Sequence, residues 1–367
     1  MTTQELGITH AAVLSAAGVG LDALRARLRE PAAAPLGADP APADADQYAG
    51  LPGRVAAVPG FAITDYVPRK GTKNLDRSTA LGLAASTLLK QELGARPGTT
   101  DASWETTGIA MGTTVGSLRS SIQLDIDVIE GKGIDLVNPA VFPNTTMNCC
   151  ASQIAIWHHF RGPNSTVANG TVSALSALRY ASRLIRCGHA HRMLVGGVEE
   201  LSPHTAWGTR LKGEVDETVA IGEGAALLAL EPAGADGPAA LATVTACEVL
   251  FTPERGAEGR ATALRRAVDR ATAAAADAGV DIRLVLPGNV GTALAAAEQA
   301  ALDGADALAG VERVDVRTAV GECGGALGAM QLAAALALGE PGSGVLITGI
   351  DASGAVAAAV LTLGAAS

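Results

Sequence analysis

Residues 161–199 run RGPNSTVANGTVSALSALRYASRLIRCGHAHRMLVGGVE. Gly162 and Pro163 punctuate the start, and the β-branched pair at Thr166 and Val167 marks a short strand over 165–167. Asn169 and Gly170 then supply a sharp turn. From 172 to 186 apolar and small residues recur at helical spacing, and the pattern stops near Gly188, a favoured residue just past a helix end. An apolar run over 192–198 reads as a second strand. This strand–turn–helix–strand unit belongs to a sheet covered by helices, and it sets Thr171 at the mouth of the turn.

Working outward, the alternation continues in both directions. On the N-terminal side the pattern predicts a strand over 8–17, a helix over 21–28, a Pro/Ala/Asp-rich loop over 30–50, a helix over 75–93, a strand over 107–111 and a helix over 117–129. Ile122, Ile126 and Ile129 fall at i, i+4 and i+7, on one face of that last helix. On the C-terminal side it predicts strands over 225–230, 241–250, 282–286, 314–320, 344–350 and 356–363. Helices over 260–278, 293–302 and 325–338 lie between them. A turn-rich linker over 232–238 separates two halves of similar order, 1–234 and 235–367. The expected class is α/β.

Composition bounds the function. Of 367 residues, 48% are hydrophobic and 17% charged, which is the balance of a chain that buries a core. The net charge of −10 and the lack of a Lys/Arg stripe argue against nucleic acid as partner. Cys149, Cys150, Cys187, Cys247 and Cys323 form no CxxC pair, so neither a zinc site nor a disulfide framework is expected. No signal peptide is visible at the N-terminus, and the most apolar stretches, 333–338 and 355–363, are too short for a bilayer. The expectation is a soluble cytoplasmic protein without cofactor or metal.

The stretch 161–199 resembles the β-ketoacyl synthase family of the thiolase superfamily. That family has a Gly-Pro-Asn/Ser segment, a strand, a turn bearing a nucleophilic Cys, a long helix and a strand ending in a Gly-Gly-x-Glu-like pattern. The matching pieces here are Gly162-Pro163-Asn164, Thr171, the 172–186 helix and Gly196-Gly197-Val198-Glu199. Leu75-Asp76-Arg77-Ser78, Phe142-Pro143-Asn144, Gly222-Glu223-Gly224-Ala225 and Gly321-Glu322 with Gly324 to Ala329 resemble four further family motifs, in the same order. The resemblance implies a thiolase-like fold, a duplicated αβαβα five-layer core of two mixed sheets.

The same resemblance locates reactive positions, and each has changed. Thr171 stands at the position of the nucleophilic Cys, Val290 at the first catalytic His, Glu322 at the second and Arg317 at the supporting Lys. A Thr hydroxyl is a poor nucleophile without a base, Val donates no hydrogen bond, and a carboxylate repels an enolate. The family's Gly-Phe-Gly-Gly gating loop is reduced to Asp351-Ala352-Ser353-Gly354, and a loop near 208–220 is shortened. Non-catalytic members of the family are the chain-length factors of type II polyketide synthases. Likeness to them implies a heterodimer with a Cys-bearing ketosynthase and contact with an acyl-carrier protein through that complex; the short apolar stretches already argue against a membrane partner. It also implies tunnel-lining roles for Ile122 and Ile126. Chain-length factors typically carry Gln at the Thr171 position; this departure points to a divergent branch serving a reduced or polyene chain. Two alternatives stand beside this reading. One is an acyltransferase or thioesterase using Thr171 with Glu322 as base; the other is a homodimeric scaffold for acyl-carrier proteins.

Plainer readings accompany the rest. Cys149 and Cys150 read as buried small hydrophobes, His158 and His159 as structural, His189 and His191 as surface residues. The Ile122 face suits core packing as well as a tunnel. Gly18-Val19-Gly20-Leu21-Asp22-Ala23 mimics a dinucleotide fingerprint, which the family context overrides.

Overall fold

The computed structural model describes residues 4–30, 36, 42–96, 100–132, 137–233 and 239–365. Ten strands carry the sheet. From the first part of the chain come β1 (Leu6–Ser15), β2 (Thr107–Gly112), β3 (Asn164–Val167), β4 (Arg192–Glu199) and β5 (Gly224–Pro232). From the second come β6 (Ala242–Phe251), β7 (Ile282–Leu286), β8 (Glu312–Arg313), β9 (Gly344–Ile350) and β10 (Ala355–Leu363). A short strand, Gly18–Val19, folds back on β1.

Across the sheet the order is β8-β7-β9-β10-β6-β1-β5-β4-β2-β3. The first five strands therefore run 3-2-4-5-1 from the free edge inward, and the second five repeat that order. The strand senses repeat as well. β2 is parallel to β3 and β4, whereas β5 is antiparallel to β4 and β1. β7 is parallel to β8 and β9, whereas β10 is antiparallel to β9 and β6. The halves meet through two residue pairs, Gly7 with Thr243 and Ile8 with Ala242. The division expected at 234/235 lies outside the described residues, as does most of the 232–238 linker.

The helices are α1 (Leu21–Arg29), α2 (Arg77–Gly94), α3 (Leu118–Asp127), α4 (Cys149–His158), α5 (Ser173–Arg186), α6 (Pro203–Lys212), α7 (Ala257–Asp277), α8 (Ala295–Asp303) and α9 (Leu327–Leu338). Strand side chains alternate between faces. On β5, Ala226, Leu228 and Leu230 join a cluster containing α5 and α9. Ala225, Leu227 and Ala229 join another, with Leu81 and Leu89 of α2 and Ile154 of α4. On β10, Ala357 and Ala359 face the α5/α9 side, and Ala358 and Val360 face α7 and α8. Five layers result: α2 with α4, the first half-sheet, α5 with α9, the second half-sheet, and α7 with α8. Small side chains make the middle layer possible. A Cβ at Gly197 of β4 would lie 2.8 Å from Ala326 Cα, so helix and strand touch backbone to backbone.

Two expectations need correction. The strand expected over 314–320 ends at Arg313, and Arg317–Val320 is a helical turn. Asp315 causes this: its carboxylate accepts the Arg317 amide at 3.0 Å and its carbonyl accepts the Thr318 hydroxyl at 2.7 Å, a local turn that outcompetes the ladder. The Ile122 face is not core, because no residue of α3 is buried. The helix α4 went unread because it is apolar nearly all round. The dinucleotide reading also lacks its scaffold. β1 is antiparallel to both neighbouring long strands, whereas that fold needs a parallel strand–helix–strand unit.

Candidate functional site

The turn between β3 and α5 is built by its own polar groups. The Asn169 amide donates to Ser173 Oγ at 2.8 Å, and Ser173 Oγ donates back to the Gly170 carbonyl at 2.6 Å. Gly170 has φ +59°, and a Cβ there would sit 1.7 Å from the Asp351 carboxylate. Only glycine satisfies both the left-handed backbone and that approach.

Thr171 follows, half-buried at the N-terminal end of α5. Its amide donates to Asp351 Oδ2 at 3.0 Å and its hydroxyl donates to the Ile350 carbonyl at 3.0 Å. Helix N-termini attract anions through free amides and the helix dipole. Here the attracted anion is the chain's own Asp351, whose other oxygen accepts the Ser353 amide at 2.8 Å. The Ile350 carbonyl also accepts from Asn289 Nδ2 at 2.8 Å, and Asn289 Oδ1 accepts the Ile350 amide at 2.8 Å. The end of β9 thus ties the Thr171 turn to the loop bearing Val290. Buried Glu298 holds that loop from below, accepting the Gly288 and Asn289 amides at 3.0 and 2.7 Å. Val290 itself is 39% exposed.

Glu322 is committed elsewhere. Its carboxylate accepts from Arg317 Nε at 2.6 Å and from the Gly324 amide at 2.8 Å. Both side chains are buried, and Arg317 Nη1 and Nη2 find no hydrogen-bond partner among the described residues. Beside them, Glu199 accepts the Thr114 amide and hydroxyl and the Gly325 amide at 2.9, 2.7 and 3.0 Å. Burial pushes the Glu199 carboxyl up to about 7, and that of Glu200 likewise to about 7.

The motifs named from the sequence interlock around this site. Arg77 Nε donates to Glu223 Oε2 at 3.0 Å, and buried Glu223 also accepts the Val58 and Leu201 amides at 2.9 and 3.1 Å. Asn144 Nδ2 donates to the Asn74 carbonyl at 2.7 Å. The Gly222 amide donates to the Glu322 carbonyl at 2.8 Å.

Cys149, Cys150 and Cys323 are buried, and burial raises each thiol above its ordinary value. Burial pushes Cys247 to about 12. His158 is buried against Ser86 Oγ at 3.0 Å and lowered to about 3 by desolvation. His159, His189 and His191 are exposed. Ile122 is half-buried, Ile126 is 37% exposed and Ile129 is 82% exposed.

Sequence reasoning treated Asp351 as a remnant of a gating loop and missed its bond to Thr171. No local pattern could have revealed it, since 180 positions separate the two. The one hint was Gly170, a residue with no side chain where something must come close.

A sequence profile of the β-ketoacyl synthase N-terminal domain matches residues 44–233. 3-oxoacyl-[acyl-carrier-protein] synthase 2 of Rhizobium meliloti is 29% identical over 139 residues, 38% of this chain and 32% of that protein. A putative mitochondrial 3-oxoacyl-[acyl-carrier-protein] synthase of Schizosaccharomyces pombe is 26% identical over 179 residues, 44% of this chain and 39% of that protein. The matches thus span well under half of these relatives. Among solved structures, a chain of the ishigamide ketosynthase/chain length factor is 32% identical, with TM-score 0.82, covering 98% of this chain and 99% of that one. A β-ketoacyl synthase from Burkholderia phymatum STM815, 22% identical with TM-score 0.79 and the same coverage, shares the fold. No helix among the described residues is long and apolar enough to cross a membrane. With the profile covering more than half its length, this chain belongs to the β-ketoacyl synthase family.

Proposed function

We propose that this chain is a non-condensing companion subunit, a chain-length factor that pairs with a Cys-bearing ketosynthase and lines part of the tunnel in which the acyl chain grows. One observation carries the reading: the Thr171 amide is occupied by the Asp351 carboxylate. Condensation by this family needs a thiolate at a helix N-terminus and donors facing a developing oxyanion. At the matching place this chain has a hydroxyl that donates to a backbone carbonyl, with a carboxylate seated on the nearest free amide. Val290 brings an isopropyl group to the second position. Glu322 brings an anion to the third, and Arg317 takes it up in an ion pair.

The partner side is supported by surface. Val115, Ile126, Val128, Ile129, Phe142 and Met147 are exposed apolar side chains within one segment, and Ile126 belongs to the helix assigned to the tunnel. A monomer gains nothing from leaving them in water. Of the two most pertinent solved neighbours, one is described as a ketosynthase/chain length factor. The other, 15% identical with TM-score 0.74, is described as a type II polyketide synthase acyl-carrier protein in complex with its ketosynthase.

The test is intact-protein mass spectrometry after co-expression with a Cys-bearing ketosynthase and exposure to an acyl thioester. An acyl adduct on the partner alone is expected. An adduct on Thr171 would establish the acyltransferase reading instead.

A further inference from the structure

Helix α5 carries Arg179, Arg183 and Arg186 on one exposed face, spaced by four and three residues. They line a groove of about 810 Å³ between α5 and β6, together with Tyr180, Ser176 and the 244–249 segment. Arg179 Nη1 donates to the Val249 carbonyl, and Arg186 Nε donates to the Gln4 carbonyl at 3.4 Å. Carbonyls satisfy donors without cancelling charge. Among the described residues no carboxylate forms an ion pair with any of the three. The one acid in the groove wall, Glu248, lies 3.5 Å from Arg270. A concentrated positive face is unusual on a chain whose net charge is −10.

Its position gives it meaning. The groove opens at Asn169, two residues past the end of β3. β3 is the outermost strand, paired with β2 on one side only. A free edge of this kind invites another strand. If a second copy docked there, a two-fold axis would set β3 against β3. α5 packs over β2 and β4, the next strands inward. At a spacing of about 4.8 Å per strand, each α5 would lie on the order of 10 Å from that axis. In such a dimer that gap would be within reach of two long arginine side chains. Six guanidinium groups would then face one another with no carboxylate between.

We infer that the Arg179–Arg183–Arg186 face selects the partner, opposing a second copy of this chain and receiving a subunit that presents carboxylates at the matching positions. Repulsion against the wrong partner and attraction to the right one together set specificity. This inference rests on the companion-subunit reading and adds the sign of charge that the companion must bear.

The experiment needs only this chain. Sedimentation velocity compares the wild type, the charge-reversed variant Arg179→Glu/Arg183→Glu/Arg186→Glu, and their equimolar mixture, at roughly 0.02 M and 0.5 M salt. At low salt each chain alone is expected to be monomeric and the mixture dimeric, associating at least tenfold more tightly than either component. The preference should fade at high salt. A wild-type chain that is already dimeric at low salt, or a mixture that stays monomeric, overturns the inference. If circular dichroism shows the triple variant misfolded, Arg183→Glu takes its place. The readout is assembly alone. An acyl adduct on Thr171 would remove the companion-subunit reading and leave these sedimentation results standing.

Discussion

The backbone amide of Thr171 donates to the side chain of Asp351 at 3.0 Å, joining the start of α5 to the loop after β9. A carboxylate at that point supplies the negative charge a helix N-terminus favours, and so excludes any other anion from it.

That contact predicts the behaviour of a thiol introduced at position 171. In Thr171→Cys alone, the neighbouring carboxylate disfavours the thiolate. In Thr171→Cys/Asp351→Gly the freed amide favours it, and the thiol pKa should fall by about one unit. The pH dependence of iodoacetamide alkylation reads this directly. Equal profiles for the two variants would remove Asp351 from the account.

Placing an imidazole at position 322 should be costly. Arg317 is 2% exposed, and Glu322 is its ion-pair partner among the described residues. Glu322→His removes the hydrogen-bonded ion-pair partner of a buried guanidinium, a loss of about 3 kcal/mol. Arg317→Met in the same chain should recover much of it. Urea unfolding of the single and double variants measures both, and an unchanged midpoint in Glu322→His would contradict the expectation.

Chain length should follow side-chain volume on α3. Ile126→Trp narrows the proposed tunnel and should shorten the product of the co-expressed pair, while Ile122→Ala should lengthen it. Condensation is expected to continue in both, because the proposal gives the thiol to the partner and only the tunnel wall to this chain. Product mass distributions decide, and identical distributions in all three complexes would take both residues out of the tunnel.

Stability should fall as pH rises. Glu199 and Glu200 titrate at about 7 in the folded chain against an ordinary value of 4.5. The folded state therefore binds more protons between those limits. The stabilising contribution is complete below about 4.5 and is lost as pH rises through about 7, at roughly 1 kcal/mol per pH unit for each group. Glu199→Gln should flatten this dependence in thermal melts taken across that window. A wild-type melting temperature independent of pH would rule out buried neutral carboxyls.

The strand and helix succession was largely legible. Strands 282–286 and 344–350 match their expected bounds, and β2, β4, β5 and α5 differ by a residue or two at their ends. Apolar periodicity reports which way side chains face, and burial obeys it. Where a side chain competes with the backbone, as Asp315 does, periodicity misleads. Where a helix is buried or apolar on every side, as α4 nearly is, periodicity has nothing to report.

The site divides in the same way. Motif order proposes Thr171, Val290, Glu322 and Arg317 for the family's reactive positions, because that spacing is written along the chain. What those residues touch could not be read that way. Asp351 reaches Thr171 from the other half of the chain, and Arg77–Glu223 and Asn289–Ile350 join distant positions within one half, so each pair exists only in the packed structure. Local chemistry along the chain set the elements. The partner each leftover polar group found depended on which distant strands were packed beside it, and only the closed tertiary structure determines that.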